Sequence, residues 1–98
     1  MYFLVLLRES TVAAEEEDHE PFIDSLVARN LILLGGSFDE PIDGAVAAYI
    51  LRCDDEGQAH SIVAEDPLVL TGIAEPLITR WDVIGVNRNA IEADLTSD

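Results

Sequence analysis

His19 stands in the run Glu15-Glu16-Glu17-Asp18-His19-Glu20-Pro21-Phe22, one imidazole among five carboxylates. With an ordinary pKa of about 6.5, an imidazole can take or give a proton near neutrality, the basic requirement for general acid–base work. Neighbouring carboxylates favour its charged form, which works against a base that must begin neutral. The productive arrangement is a single carboxylate on one ring nitrogen, with the other nitrogen facing a substrate. Asp66, in the pair Asp66-Pro67, is the candidate for that partner. Glu15, four residues ahead on an extended helix, would instead hold the imidazolium on the outside. Each residue also has an ordinary explanation. A histidine in an acidic run is usually a surface group, and an aspartate before proline is usual turn chemistry.

Other side chains add less. Ser37 follows Gly35-Gly36, where a hydroxyl and open backbone at Gly36 can face a ligand, although a glycine bulge explains the same residues. The sequence lacks G-x-x-x-x-G-K, so this is no phosphate cradle. Arg8 and Arg80 end or line strands and can neutralise an anionic group, or simply pair with surface acids. The Glu15, Asp18, His19, Glu20 cluster raises a metal question, but His-Glu-Pro-Phe is not H-E-x-x-H. No metal site and no cofactor are expected. His60 reads as structural, and Cys53, alone in an apolar run, as a small buried hydrophobe without a disulfide. Tyr49 and Trp81 read as core or interface aromatics, since no basic groove makes them a stacking platform.

The elements that must position these residues follow from pattern. Tyr2 to Arg8 is a short apolar run suited to a buried strand. Asp18 to Asn30 reads as a helix with Phe22, Ile23, Leu26 and Val27 as its stripe, Asp18 as cap and Asn30 as a left-handed terminator. Leu31 to Leu34 is a second strand, stopped or bent at Gly35-Gly36, and Ser37 to Gly44 is turn chemistry. Ala45 to Cys53 is a third strand. Asp55 and Gln58 have capping-box spacing and open a second helix through about Glu65, which Asp66-Pro67 ends. Another short turn lies before Gly72. Leu77 to Val86 alternates as a last strand.

The resulting order is β-α-β-β-α-β, the ferredoxin-like α+β arrangement with a four-stranded antiparallel sheet. Its helices share one sheet face. Apolar residues fall on both faces of the strands, so the bare face is expected to meet a second copy in a homodimer. At 98 residues and 49% apolar the chain is one domain, with a core over about 2–86 and an acidic tail over 87–98. The formal charge of −15 comes from 20 acids against five arginines and no lysine. That field repels phosphate, so nucleic acid and anionic membrane are poor partners and a neutral or cationic small molecule is the likelier ligand. No segment has the form of a secretory leader or reaches the roughly 20 apolar residues of a membrane span, so a cytoplasmic protein is expected.

Three stretches resemble the YCII-related family across about residues 2–86. His19-Glu-Pro-Phe-Ile-Asp-Ser-Leu-Val-Ala-Arg-Asn-Leu-Ile-Leu-Leu-Gly-Gly36 places a histidine ahead of an apolar helix, a Leu-rich strand and glycine. Ala64-Glu-Asp-Pro-Leu-Val-Leu-Thr-Gly72 ends a helix in Asp-Pro. Ile78-Thr-Arg-Trp-Asp-Val83 is a hydrophobic-basic-aromatic last strand. The resemblance implies a dimeric α+β barrel and a cleft where His19 and Asp66 act as a pair, with Gly36, Ser37, Arg8 and Pro67 around it. Members with an assigned reaction resemble lyases that remove chloride from chlorinated hydroxyquinone-type rings. Gly36-Ser37 replaces the family's frequent Gly-Pro, and Leu68 replaces a frequent aromatic. Both departures fall near the implied pocket.

Two functions follow as expectations. The first is a cofactor-independent lyase or isomerase using His19 and Asp66 on a small hydroxylated molecule. The second is a non-catalytic dimeric module that binds a small metabolite or a protein partner.

Overall fold

Strand β1, Tyr2–Glu9, buries Phe3, Val5 and Leu7 on one side while Tyr2, Leu4 and Leu6 remain half-buried on the other. Period-two alternation puts these sets on opposite faces of the sheet, and both are apolar. The computed structural model describes residues 1–9 and 19–91, with His19 represented by its helical backbone alone. The expected Asp18 cap lies outside the described residues, as do positions 10–17 and positions 92–98 of the acidic tail.

The other elements are α1 (His19–Ala28), β2 (Ile32–Ile42), β3 (Ala45–Arg52), α2 (Glu56–Ala64), α3 (Pro67–Leu70) and β4 (Ala74–Trp81). They form one sheet in the order β2-β3-β1-β4, with every neighbouring pair antiparallel. This is the ferredoxin-like α+β topology that the sequence predicts, with α3 added before the last strand. Phe3, Val5, Leu7, Tyr49 and Leu51 from the sheet form one core with Leu26 of α1, Ile62 and Val63 of α2 and Leu68 of α3.

Local chemistry sets the joints. Asn30 has φ 57°, and Leu31 N–H donates to Leu26 O at 2.9 Å while Asn30 N–H donates to Val27 O at 3.1 Å. That pair of bonds is a Schellman stop with Asn in place of the usual glycine. At α2, Asp55 Oδ1 accepts from Gln58 N–H at 2.8 Å. Gln58 Oε1 reaches back to Asp54 N–H at 2.7 Å, one residue ahead of the usual capping-box partner.

Two strand boundaries differ from expectation. Strand β2 does not stop at Gly35-Gly36 but pairs through them, Gly35 opposite Tyr49 and Gly36 opposite Ala48. A Cβ at Gly35 would lie 2.8 Å from Tyr49 Cβ, so glycine here permits a close strand approach instead of ending the strand. Pro41 is accommodated because β2 is an edge strand. The turn shrinks to Asp43 and Gly44, φ 51° and 83°, as a two-residue hairpin requires. Strand β4 is shifted back from the expected 77–86 to Ala74–Trp81. Its pairing with β1 runs from Ala74 opposite Glu9 to Trp81 opposite Tyr2.

The second sheet face carries Leu4, Leu6, Leu34, Ile50 and Trp81 around a shallow depression of about 500 Å³. Leu34, Leu77 and Trp81 are each exposed by 44% or more. None of α1, α2 and α3 lines this depression.

Candidate functional site

Asp66 is built into the chain by its neighbours. The residue before proline is held extended, and Asp66 has φ −61° and ψ 123°. Pro67 then occupies the first turn of α3, where an amide N–H would have no intrahelical partner. From this cap position Asp66 Oδ1 accepts a hydrogen bond from Leu68 N–H at 3.0 Å. Its second oxygen is engaged elsewhere: Tyr49 O–H donates to Oδ2 at 3.3 Å. Asp66 is fully buried, and it is the buried charged residue among those described. The turn role and a functional role are thus compatible, one oxygen serving the cap and the other facing the sheet.

Tyr49 stands on the interior strand β3 and is 2% exposed. Burial pushes its phenol well above the usual tyrosine range, and the charge of Asp66 and their hydrogen bond push it further. The hydroxyl therefore stays protonated and works as a donor, not as a base. The sequence reading as a core aromatic captures its burial but misses this bond. The signal was present: Tyr49 shares the core face of β3 with Ala47 and Leu51, and a buried tyrosine needs a partner for its hydroxyl.

Tyr49 and Leu68 also form part of the wall of a cavity of about 390 Å³ between α1, β2 and β3. Ser37, Gly36 and Gly35 of β2 contribute a second wall, and Glu20, Ile23 and Asp24 of α1 a third. Asp66 lies behind the first wall, bonded to two of the residues that make it. Ser37 sits opposite Ala47 on the helix-covered face, which the Gly35–Tyr49 approach makes reachable. His19 opens α1, one residue before Glu20 of the cavity wall, and its side chain lies outside the described residues.

The remaining predicted residues are placed apart. Arg8 is exposed at the end of β1, its guanidinium beside Gly44 of the β2–β3 turn, and it does not line this cavity. Pro67 is half-buried behind Leu68 and likewise does not line it. His60 lies on the surface with Nε2 3.4 Å from Glu56 Oε1. Cys53 is buried in the core, and burial, together with Asp55 and Asp54, pushes its thiol up against a smaller opposing effect of the amino terminus. Among the described residues no three His, Cys, Asp or Glu side chains are grouped to hold a metal ion. No described helix is long and apolar enough to cross a membrane.

The charge around the cavity is one-sided. Glu20 and Asp24, four apart on α1, line it, and no arginine does. Such a hollow disfavours anions at close range.

The fold has a solved counterpart. The chain superposes on the 5-chloro-2-hydroxyhydroquinone dehydrochlorinase TftG from Burkholderia phenoliruptrix AC1100, in complex with 2,5-dihydroxybenzoquinone, with a TM-score of 0.65. The match covers 84% of this chain and 94% of that one, at 18% identity. The superposition establishes a shared fold. No family model matches the chain, and no curated protein sequence does.

Proposed function

We propose that this chain is a small lyase or isomerase that moves a proton on a compact, hydroxylated aromatic molecule. His19 is the base or acid and Asp66 orients its ring. The observation that carries this reading is the buried Asp66 carboxylate, held by Leu68 N–H and Tyr49 O–H behind the wall of a cavity bordered by the first turn of α1. Burying a carboxylate is costly unless it is bonded.

The cavity suits the reading in size and in chemistry. About 390 Å³ admits a single substituted ring, and Ile23, Ala47 and Leu68 offer apolar surface beside the Ser37 hydroxyl. Acid–base elimination needs only a group that accepts a proton and a leaving group that departs with its bonding pair. The proton goes to imidazole, the leaving group takes the electrons, and the net change is loss of a small acid. The YCII-related motifs and the fold shared with a dehydrochlorinase point to the same class.

In this reading the protein works as a homodimer closed over the second sheet face. The apolar set Leu4, Leu6, Leu34, Ile50 and Trp81 is too continuous to remain in water on a monomer. Two such sheets face to face give the expected α+β barrel.

The test is chloride release and spectral change with chlorinated and non-chlorinated hydroxyquinols, using wild type and His19→Ala. A positioned acid–base group contributes about 10²–10⁴-fold, so the variant should lose at least that factor. Equal turnover by the variant would remove His19 from the chemistry. Saturable binding without turnover would favour the metabolite-binding module.

A further inference from the structure

Two of the five arginines border one hollow at the opposite end of the sheet from the cavity described above. Arg29, just past the last turn of α1, and Arg52, at the end of β3, both line a separate hollow of about 420 Å³. From Ala47 at the first cavity to Arg52 is five residues of strand, about 17 Å.

The scaffold beneath these arginines is tied by backbone bonds. Arg52 N–H donates to Leu31 O at 2.8 Å, and Cys53 N–H donates to Met1 O at 3.0 Å. The Asn30 turn fixes where α1 ends. Gln58 is fixed by its bonds with Asp54 N–H and Asp55, and it lines the same hollow with Asn30 and Tyr2.

What distinguishes the pair is that both line one hollow, whereas Arg8 and Arg88, likewise without an ion pair among the described residues, do not line it. The chain has 20 acids for five arginines, so an exposed guanidinium has every opportunity to find a carboxylate. Arg80 does so, with Nε 3.6 Å from Asp82 Oδ1. Neither Arg29 nor Arg52 makes an ion pair among the described residues, although Asp54 borders the same hollow. Each guanidinium keeps a planar fork of N–H donors suited to a carboxylate or phosphate. The net charge of −15 opposes anions at long range, so one is held only where short-range donors converge.

The geometry points to a binding site for a small oxyanion, carboxylate or phosphate, between Arg29 and Arg52, with Asn30 and Gln58 as neutral polar neighbours. Its ligand class is opposite to that of the acid-lined cavity, and it is independent of the proposed reaction. The hollow is sized for a small molecule, not for a nucleic acid.

The test follows the arginine Nε–Hε signals of the full chain by NMR, at fixed pH and constant ionic strength. Sodium phosphate and sodium benzoate are titrated separately against sodium chloride. Saturable shifts at Arg29 and Arg52 but not at Arg80 are expected, with apparent affinity at least tenfold weaker in Arg29→Gln and in Arg52→Gln. A response to phosphate alone, or to benzoate alone, identifies which oxyanion the site takes. Linear shifts equal at Arg80, shifts that chloride reproduces, or unchanged affinity in the double variant would overturn the assignment.

Discussion

Tyr49 donates its hydroxyl hydrogen to Asp66 Oδ2 at 3.3 Å, joining the middle of the sheet to the cap of α3. The bond links residues seventeen positions apart in the chain. It gives a buried tyrosine its partner and holds a buried carboxylate in one orientation. Both residues are within the packed core, so neither can readily turn to water for a substitute.

Tyr49→Phe removes the donor and leaves the carboxylate one hydrogen bond poorer. The expected cost is about 1–3 kcal/mol, read by urea unfolding. The alkaline limb separates this variant further. Tyr49 is raised above its ordinary value of 10.0 by burial and by Asp66. The unfolded chain therefore sheds the phenolic proton at a pH where the folded chain keeps it. Stability is fully present below about pH 10 and falls above it, by about 1.4 kcal/mol per pH unit for one proton. Tyr49→Phe should lack that component of the slope.

Substitutions at Asp66 divide structure from chemistry. Asp66→Ala removes the cap of α3 and strands the Tyr49 hydroxyl, for a combined loss of about 2–4 kcal/mol. Asp66→Asn keeps an acceptor for Leu68 N–H and should unfold at a urea concentration closer to wild type. Both should lose turnover. An Asp66→Asn protein with full activity would leave the carboxylate as a cap alone.

The glycine pair predicts a contrast between adjacent positions. Gly35→Ala drives a methyl against Tyr49 Cβ, 2.8 Å away before relaxation, and should destabilise by about 1–3 kcal/mol. Gly36→Ala meets nothing within 4 Å and should change the stability of the protomer by about 0.5 kcal/mol or less. Thermal or urea melts of the two variants check the contrast.

The second sheet face predicts association. Sedimentation equilibrium should show a dimer, and Ile50→Glu or Trp81→Glu should shift it to monomer while leaving the helix-side core folded. A wild-type protein that stays monomeric at tens of micromolar would overturn the proposed barrel.

Much of this architecture was legible because period and punctuation agreed. The Asn30 stop, the Asp55–Gln58 cap and the β-α-β-β-α-β order all follow from local chemistry. The missed boundaries depended on distant partners. Glycine at position 35 reads locally as a break, but β3 across from it turns the same residue into a close-packing position. The bounds of β4 are set by its register with β1, which residues 82–86 do not show by themselves. At the candidate site, Ser37 and Gly36 drew attention as a hydroxyl beside glycine and do line the cavity, whereas the Tyr49–Asp66 bond joins residues from different elements. Arg8 shows the converse, since a charge near a strand end carries no information about which way the chain turns next.

The central claim is that His19 and Asp66 meet, and a histidine titration tests it most directly. Proton NMR of the imidazole signals should be recorded from pH 4 to 9 in wild type and Asp66→Asn, with exposed His60 as the internal reference. A carboxylate beside the ring favours imidazolium, so removing its charge should lower the His19 pKa by about one unit. The same midpoint for His19 in both proteins would contradict the pairing and the catalytic role built on it.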